Sequence, residues 1–346
     1  MLAGRLLSSA LPFVLSHQPS AITYRLSGIA SRMSECASVF DRLQYRALRA
    51  LIGALQRLRW ARATELGARA AALGFRPFRI RRGVVERQIA FAFPALSRDE
   101  VRRIAYASYE HLGRVAVEAA LLPSLGREAV LALVEAADGW ALIEAALAAG
   151  RGLILVTGHL GNWELGGAYL AARGCPVDVV VRRMNNPLFD AYLNETRTRS
   201  GMTVVRDREA VRRTARSVAA GRAVAFLIDQ GVLHLASTYV PFFGRPAKTP
   251  RGPAVFALRW NVPMVFGAVI RQPSGRYRIT LEAVPVDETG DRDGDVDRVV
   301  ARYTEALERW VRRAPEQYFW HHRRWKRQPP GTPPELRDPV VAADTS

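Results

Sequence analysis

The stretch GLILVTGHLGNWELGGAYL, residues 152–170, decides the fold of this chain. Its apolar run from Gly152 to Val156 predicts a buried strand, and the residues after Asn162 predict a helix. His159 lies in the turn between the two elements, and Glu164 lies in the first turn of the helix. A strand that ends at a histidine, with a carboxylate nearby, is a place where chemistry can be done.

The spacing of the two polar residues restricts how they can meet. His159 and Glu164 are five residues apart, which on one continuous helix would separate their side chains by about 140°. They can meet if His159 stays in the turn, which Gly158 and Gly161 favour. Asn162 is then the predicted N-cap of the helix. The pattern predicts that Glu164 orients the imidazole of His159, which acts as a general base.

Outward from this stretch, strands and helices alternate. Strands are predicted at residues 152–156, 177–181, 223–228, 263–270 and 276–286, the last of them antiparallel. Helices are predicted at residues 163–172, 188–199, 207–219, 251–260 and 292–312. This order predicts an α/β core over residues 151–327, with a mostly parallel central sheet flanked by helices. Residues 39–150 read as a helical region, and residues 328–346 as a disordered Pro-rich tail.

Polar residues follow three of the predicted parallel strands. In open α/β sheets, ligands bind beyond the carboxyl ends of the strands. There the chain places His159, then Arg182 and Arg183, then Asp229. Arginines at this edge suit a phosphorylated substrate. The alternative is that they only neutralise Glu164 or Asp229.

The composition restricts the classes of partner and cofactor that the protein can have. The chain has 346 residues and a formal net charge of +18, and only Lys248 and Lys326 are lysine among its 50 basic residues. Such a charge points to nucleic acid or to an anionic membrane. Two cysteines make no disulfide framework. No metal-ligand spacing appears, so neither a metal nor another cofactor is expected.

The first 60 residues divide into two segments. Residues 1–33 hold prolines and no clean apolar span, so they are predicted to be a disordered or spurious extension rather than a cleaved signal peptide. Residues 39–60 place leucines on one side of a helical wheel and most arginines on the other. This pattern is typical of a helix lying in a lipid headgroup layer. The alternative is an ordinary surface helix packed on its own domain.

Five blocks of sequence carry a resemblance to a known family. They are the H-x4-E box of His159 and Glu164, VVRRMNNPLFD (residues 180–190), FLIDQG (226–231), TYVPFFGRPAKTPRG (238–252) and PEQYFWHHRRWKRQP (315–329). The first resembles the glycerolipid acyltransferase superfamily. All five, in this order, are similar to the late acyltransferases of lipid A biosynthesis, the lauroyl/myristoyl transferase type, over residues 43–330.

This resemblance implies an O-acyltransferase in which His159 and Glu164 are catalytic. It implies acyl carrier protein as the carrier of the donor and a phosphorylated lipid A precursor as the acceptor. It also implies a peripheral place on the cytoplasmic face of the inner membrane. The expected substrate-binding residues come from the second, third and fifth blocks. They are Arg182, Arg183, Asn186, Asp229, Arg323 and Arg324.

Two rival interpretations remain open. One is an acyltransferase that uses acyl-CoA and another glycolipid or aminolipid acceptor, such as a phosphatidylinositol mannoside, because acceptor choice depends on pocket shape. The other is a non-enzymatic, basic nucleic-acid-binding protein, although the chain holds no recognisable module for reading nucleic acid.

Overall fold

The computed structural model describes residues 39–184, 186–231 and 236–340. These residues form a helical N-terminal part followed by an α/β part with a mostly parallel central sheet flanked by helices, so the predicted fold class is confirmed. The predicted extension at residues 1–33 lies outside the described residues.

Helices dominate the N-terminal part. They are α1 (Val39–Leu55), α2 (Trp60–Phe75), α3 (Arg82–Ala92), α4 (Arg98–Leu121) and α5 (Arg127–Ala132). Ser97 caps α4: its hydroxyl accepts a hydrogen bond from the Glu100 amide at 3.3 Å, and the Glu100 carboxylate accepts one from the Ser97 amide at 2.8 Å. This reciprocal pair satisfies two amides that the first helical turn leaves free.

Helix α1 divides its apolar residues between the protein interior and the surface. Ile52 and Leu55 are buried, and Leu55 packs against Leu121 of α4. Leu43 and Leu51 remain 64% and 57% exposed. The prediction of one apolar stripe turned wholly to a membrane is therefore wrong for the buried half, because that half joins the hydrophobic core of the helical part.

The main sheet contains strands that precede His159 in the chain and strands that follow it. Its strands are β1 (Val134–Asp138), β2 (Leu153–Thr157), β3 (Val177–Val181), β4 (Thr203–Arg206), β5 (Ala223–Leu227), β8 (Met264–Arg271) and β9 (Tyr277–Val284). Among the described residues, these seven strands lie in the order β1-β9-β8-β2-β5-β3-β4. Central β2 is parallel to β5 and β8, and β9 is antiparallel to β8 as predicted. Two further strands, β6 (Ser237–Phe242) and β7 (Arg245–Pro250), form a separate hairpin.

Two layers cover the faces of this sheet. The remaining helices are α6 (Ala141–Ala148), α7 (Trp163–Ala172), α8 (Pro187–Arg199), α9 (Ala210–Ala219), α10 (Gly252–Trp260) and α11 (Arg292–Arg313). One face of β2, with Ile154 and Val156, packs in the cluster that holds residues of α3, α4, α10 and α11. The opposite face, with Leu153 and Leu155, packs in the cluster that holds α6 and α7.

Strand β1 and the C-terminal segment differ from their predictions. Residues Val134–Asp138 were expected within a helical region, but they pair with β9 at the sheet edge. Their sequence, VEAAD, has little strand preference, so the pairing partner decides the conformation. The predicted disorder from residue 328 is wrong as far as Val340, which is buried. Gln328 donates to the carbonyl of Pro246, and Asp338 pairs with Arg323 at 2.6 Å.

Candidate active site

His159 and Asp229 meet at the carboxyl edge of the sheet. Thr157 of β2 lies directly opposite Leu227 of β5 in the parallel register. His159 and Asp229 each follow these paired residues by two positions, so the two strands deliver them side by side. This edge is where ligands bind in open α/β sheets.

The two side chains are in close hydrogen-bonding contact. His159 Nδ1 lies 2.7 Å from Asp229 Oδ1, and the backbone amide of His159 donates to Asp229 Oδ2 at 2.9 Å. Burial of Asp229 favours the neutral acid, but the charge and hydrogen bonds of His159, with the charge of Arg324, lower the pKa of its carboxyl to about 2. Asp229 is therefore ionised at neutral pH, and Nδ1 is the nitrogen that carries the proton. The Nε2 atom is left as an acceptor, 3.4 Å from the side-chain amide nitrogen of Gln230.

Glu164 has a different partner from the predicted one. Its carboxylate receives two hydrogen bonds from Nε of Arg197 on α8, at 3.2 and 3.0 Å, and a third at 2.5 Å from Nη2. The expected contact with His159 is wrong, because α7 begins at Trp163, whose ring packs on the imidazole with centroids 4.8 Å apart. One residue further, about 100° around the helix, Glu164 faces α8.

The turn that carries His159 is supported from behind by α4. Gly161 has φ +60°, and a Cβ there would lie 1.7 Å from the carbonyl oxygen of Val269, so a side chain is excluded. The Gly161 carbonyl is 3.1 Å from Nε2 of buried His111. Asn162 caps α7 as predicted, with Oδ1 accepting from the Leu165 amide at 2.9 Å. Its Nδ2 donates at 2.7 Å to Glu118, a fully buried carboxylate.

Among the residues expected to bind substrate, those after β3 divide in their roles. Arg182 and Arg183 are exposed just beyond the end of the strand. Asn186 instead caps α8: its Oδ1 accepts from the amides of Leu188 and Phe189 at 3.0 and 3.2 Å. Asn186 thus has a structural role, its substrate contact stays a prediction, and the two arginines remain candidates for an anionic ligand.

Arg323 and Arg324, two of the three arginines of the last block, have partners within the fold. Arg324 is 3% exposed, and its guanidinium donates at 2.6 Å to the Lys248 carbonyl and to the Thr249 hydroxyl. Arg323 forms an ion pair with Asp338. Both cations are paired within the fold, and their role in substrate binding stays a prediction. Arg324 acts on the site through its charge, which lowers the pKa of Asp229.

An apolar cavity opens beside this edge, between α7 and the sheet. Its volume is about 80 Å³, so it is a narrow space. Trp163 and Thr157 border it near His159, and the ion pair of Glu164 with Arg197 forms part of its wall. Apart from this pair, its lining is almost wholly aliphatic, aromatic or glycine. Such a space suits a hydrocarbon chain.

Acid should weaken the fold through His321, a half-buried histidine of the last block. His321 packs between the rings of Tyr109 and Phe319, and within the described residues neither of its ring nitrogens has a hydrogen-bond partner. Burial, with the charge of Arg81, lowers its pKa from 6.5 to about 4. The unfolded chain therefore binds a proton before the folded one, and stability falls as pH drops from about 6.5 to about 4.

The variant His321→Leu removes this proton linkage while keeping an apolar filler in the same space. We expect its melting temperature to fall less than that of the wild type over the same pH window, in a thermal denaturation series. If the melting temperatures of the two proteins fall equally with pH, His321 is not held neutral in the folded protein.

A histidine–carboxylate pair at the carboxyl edge of an α/β sheet, next to an apolar cavity, defines a site suited to moving an acyl group. The sequence places the chain in a matching family: residues 45–327 match the model of the bacterial lipid A biosynthesis acyltransferases, and the chain belongs to that family. It is therefore an enzyme that transfers acyl groups. This membership contradicts the nucleic-acid-binding alternative.

Individual relatives are distant but cover most of the chain. The lipid A biosynthesis lauroyltransferase of Escherichia coli (strain K12) is 27% identical over 271 residues, which are 78% of this chain and 87% of that protein. The palmitoleoyltransferase of the same strain is 27% identical over 274 residues, or 77% and 85%. A phosphatidylinositol mannoside acyltransferase of Mycolicibacterium smegmatis is 27% identical over 199 residues, or 56% and 62%.

Proposed function

We propose that the protein moves a fatty acyl chain from an acyl thioester, carried on acyl carrier protein, to a hydroxyl of a lipid A precursor. The observation that carries this proposal is the 2.7 Å contact of His159 Nδ1 with Asp229 beside the apolar cavity. It supplies an oriented base next to a space for a hydrocarbon chain. Family membership supports the acyl transfer itself.

The reaction needs only groups of this chain and the two substrates. Nε2 of His159 accepts the proton of the acceptor hydroxyl, and the oxygen attacks the thioester carbonyl carbon. The carbon–sulfur bond then breaks, and the departing thiolate takes the proton from the imidazolium. Asp229 stabilises the imidazolium and holds the ring in place. The amide of Gln230, 3.4 Å from Nε2, is a hydrogen-bond donor beside the reacting atoms.

The substrates are assigned by charge and by space. Arg182 and Arg183, exposed beyond β3, suit the phosphates of a lipid A precursor. A formal net charge of +18 suits an acidic carrier protein. The mannoside-acylating relative supports a second candidate, transfer from acyl-CoA to another glycolipid. Glu164 with Arg197 acts in this account as an ion pair that shapes the cavity wall.

Assays of every combination of donor and acceptor distinguish the two candidate functions. Purified protein would be offered acyl carrier protein or acyl-CoA as donor carrier and a lipid A precursor or a phosphatidylinositol mannoside as acceptor, with the products identified by mass spectrometry. Acylated lipid A precursor formed faster from the carrier-protein donor supports the proposal. Acylation of the mannoside alone would establish the second candidate instead.

A peripheral place on the cytoplasmic face of the inner membrane is part of the proposal. No helix among the described residues has the length and apolar character needed to cross a bilayer. Leu43 and Leu51 of α1 are exposed, and Phe78 and Ile80 are 67% and 59% exposed in the turn after α2. Exposed arginines at positions 76, 79 and 81 flank that turn. Apolar side chains ringed by cations match an anionic lipid surface.

Replacing Leu43 and Leu51 together by serine should weaken binding to vesicles that contain anionic lipid, because each loses apolar area that the bilayer would bury. Flotation of the variant and the wild type measures the effect. Val211→Ser is the matched control, since Val211 is an apolar residue that is 62% exposed on α9, a helix of the α/β part. Equal flotation of wild type and double variant would contradict membrane contact by α1.

A further inference from the structure

We propose that Trp140 and Gly267 set the length of the acyl chain that the enzyme accepts. The inference rests on the proposed function, in which the apolar cavity holds the chain of the donor. Both residues line that cavity, one at its side away from His159 and one on its floor. Their positions follow from the register of the sheet.

A row of residues crosses the floor of the cavity. Val156 of β2 pairs with Phe266 of β8, which sets the next residues, Thr157 and Gly267, side by side. Gly267 pairs in turn with Leu281 of β9. Neighbouring strands are about 4.8 Å apart, so this row runs roughly 10 Å away from the strand that carries the catalytic histidine. A chain whose carbonyl lies at His159 would follow this row.

Trp140 closes the cavity at the end of the row. It stands just after β1, which is the strand beyond β9, and the backbone of Gly139 lies against the Leu281 carbonyl. The indole ring meets the ring of Tyr169 edge to face, with centroids 5.9 Å apart. The guanidinium of Arg173 stacks over the indole at 4.3 Å. A cation–π contact of this kind favours the observed orientation of the ring.

Gly267 leaves the middle of the floor without a side chain. It lies in a buried strand, on the same face as Val265 and Val269, which belong to the cluster beneath α7. A Cβ there would be 3.4 Å from Leu281 Cδ2 and 3.9 Å from Leu155 Cδ2, which is ordinary contact. Space for a methyl group therefore exists, and glycine keeps it empty. Any side chain added there occupies room along the path of the acyl chain.

Two substitutions should move chain-length preference in opposite directions. Trp140→Ala lengthens the cavity, so donors longer than the wild-type optimum should gain relative to that optimum. Gly267→Val shortens the cavity, so shorter donors should gain. Each methylene that loses or gains its place in an apolar pocket changes kcat/KM by about tenfold or more.

The measurement is kcat/KM over a series of saturated acyl donors of increasing length, with one acceptor. Trp310→Ala is the matched control, because Trp310 is a partly buried tryptophan of α11 that donates to Glu282 and does not line the cavity. Gly267→Ala is the milder partner of Gly267→Val and should shift the profile the same way by less. Melting curves verify that each variant is folded.

The assignment is supported if the preferred donor length shifts in opposite directions in Trp140→Ala and Gly267→Val and does not change in Trp310→Ala. Unshifted profiles in folded, active variants of both positions would overturn it while leaving acyl transfer intact. Failure of the wild type with every donor would instead count against the proposed function.

Discussion

Replacing His159 by alanine is expected to lower kcat for acyl transfer about 10²- to 10⁴-fold, because the hydroxyl then lacks its general base. The imidazole lies at the end of a strand and is held by Asp229 rather than by the hydrophobic core. Its removal should therefore leave the fold intact. Turnover is measured with purified protein, acyl donor and glycolipid acceptor, and thermal melting reports on folding. A folded His159→Ala enzyme with nearly wild-type kcat would remove His159 from the mechanism.

Asp229→Asn is expected to lower kcat by about 10²- to 10⁴-fold, because the tautomer of the histidine depends on the carboxylate. Asp229 accepts hydrogen bonds from both His159 Nδ1 and the His159 amide. Asparagine has a single acceptor oxygen, so one of these contacts is lost or the imidazole turns the wrong nitrogen toward the substrate. Steady-state kinetics on the same substrates measure the loss.

Glu164→Gln is the informative partner of that variant. Arg197 is largely buried against Glu164, with only 17% of its side chain exposed, so loss of the carboxylate leaves a buried cation without its counter-ion and should lower the melting temperature. Two results together would show that Glu164, and not Asp229, orients His159. They are a nearly wild-type kcat in Asp229→Asn, and a large loss of kcat with an unchanged melting temperature in Glu164→Gln.

Much of the fold was predictable because its signals are local. The apolar run at residues 152–156 and the N-cap at Asn162 both predict the strand, the turn and the helix around His159, and the structure has them. The carboxyl-edge placement of Asp229 was also predictable from its position after a strand. Its pairing with His159 was not, because that requires knowing that β5 lies next to β2.

The wrong predictions about the pairing of charged residues share one physical cause. The partner of each residue lies far away in the sequence. Glu164 turns away from His159 toward Arg197, which lies 33 residues later on another helix. Arg323 looks like a free cation in the sequence until Asp338 of the C-terminal segment reaches it. Local patterns show that such charges are present, but only the packing of the helices and the tail shows which charges pair.

The central claim is that Asp229 holds His159 as the base, and the imidazole nitrogens report on it directly. In ¹⁵N NMR of the wild-type protein, we predict that the neutral imidazole of His159 carries its proton on Nδ1 and leaves Nε2 without one. We expect Glu164→Gln to keep this pattern of nitrogen shifts and Asp229→Asn to abolish it. A pattern that survives in Asp229→Asn and disappears in Glu164→Gln would contradict the account.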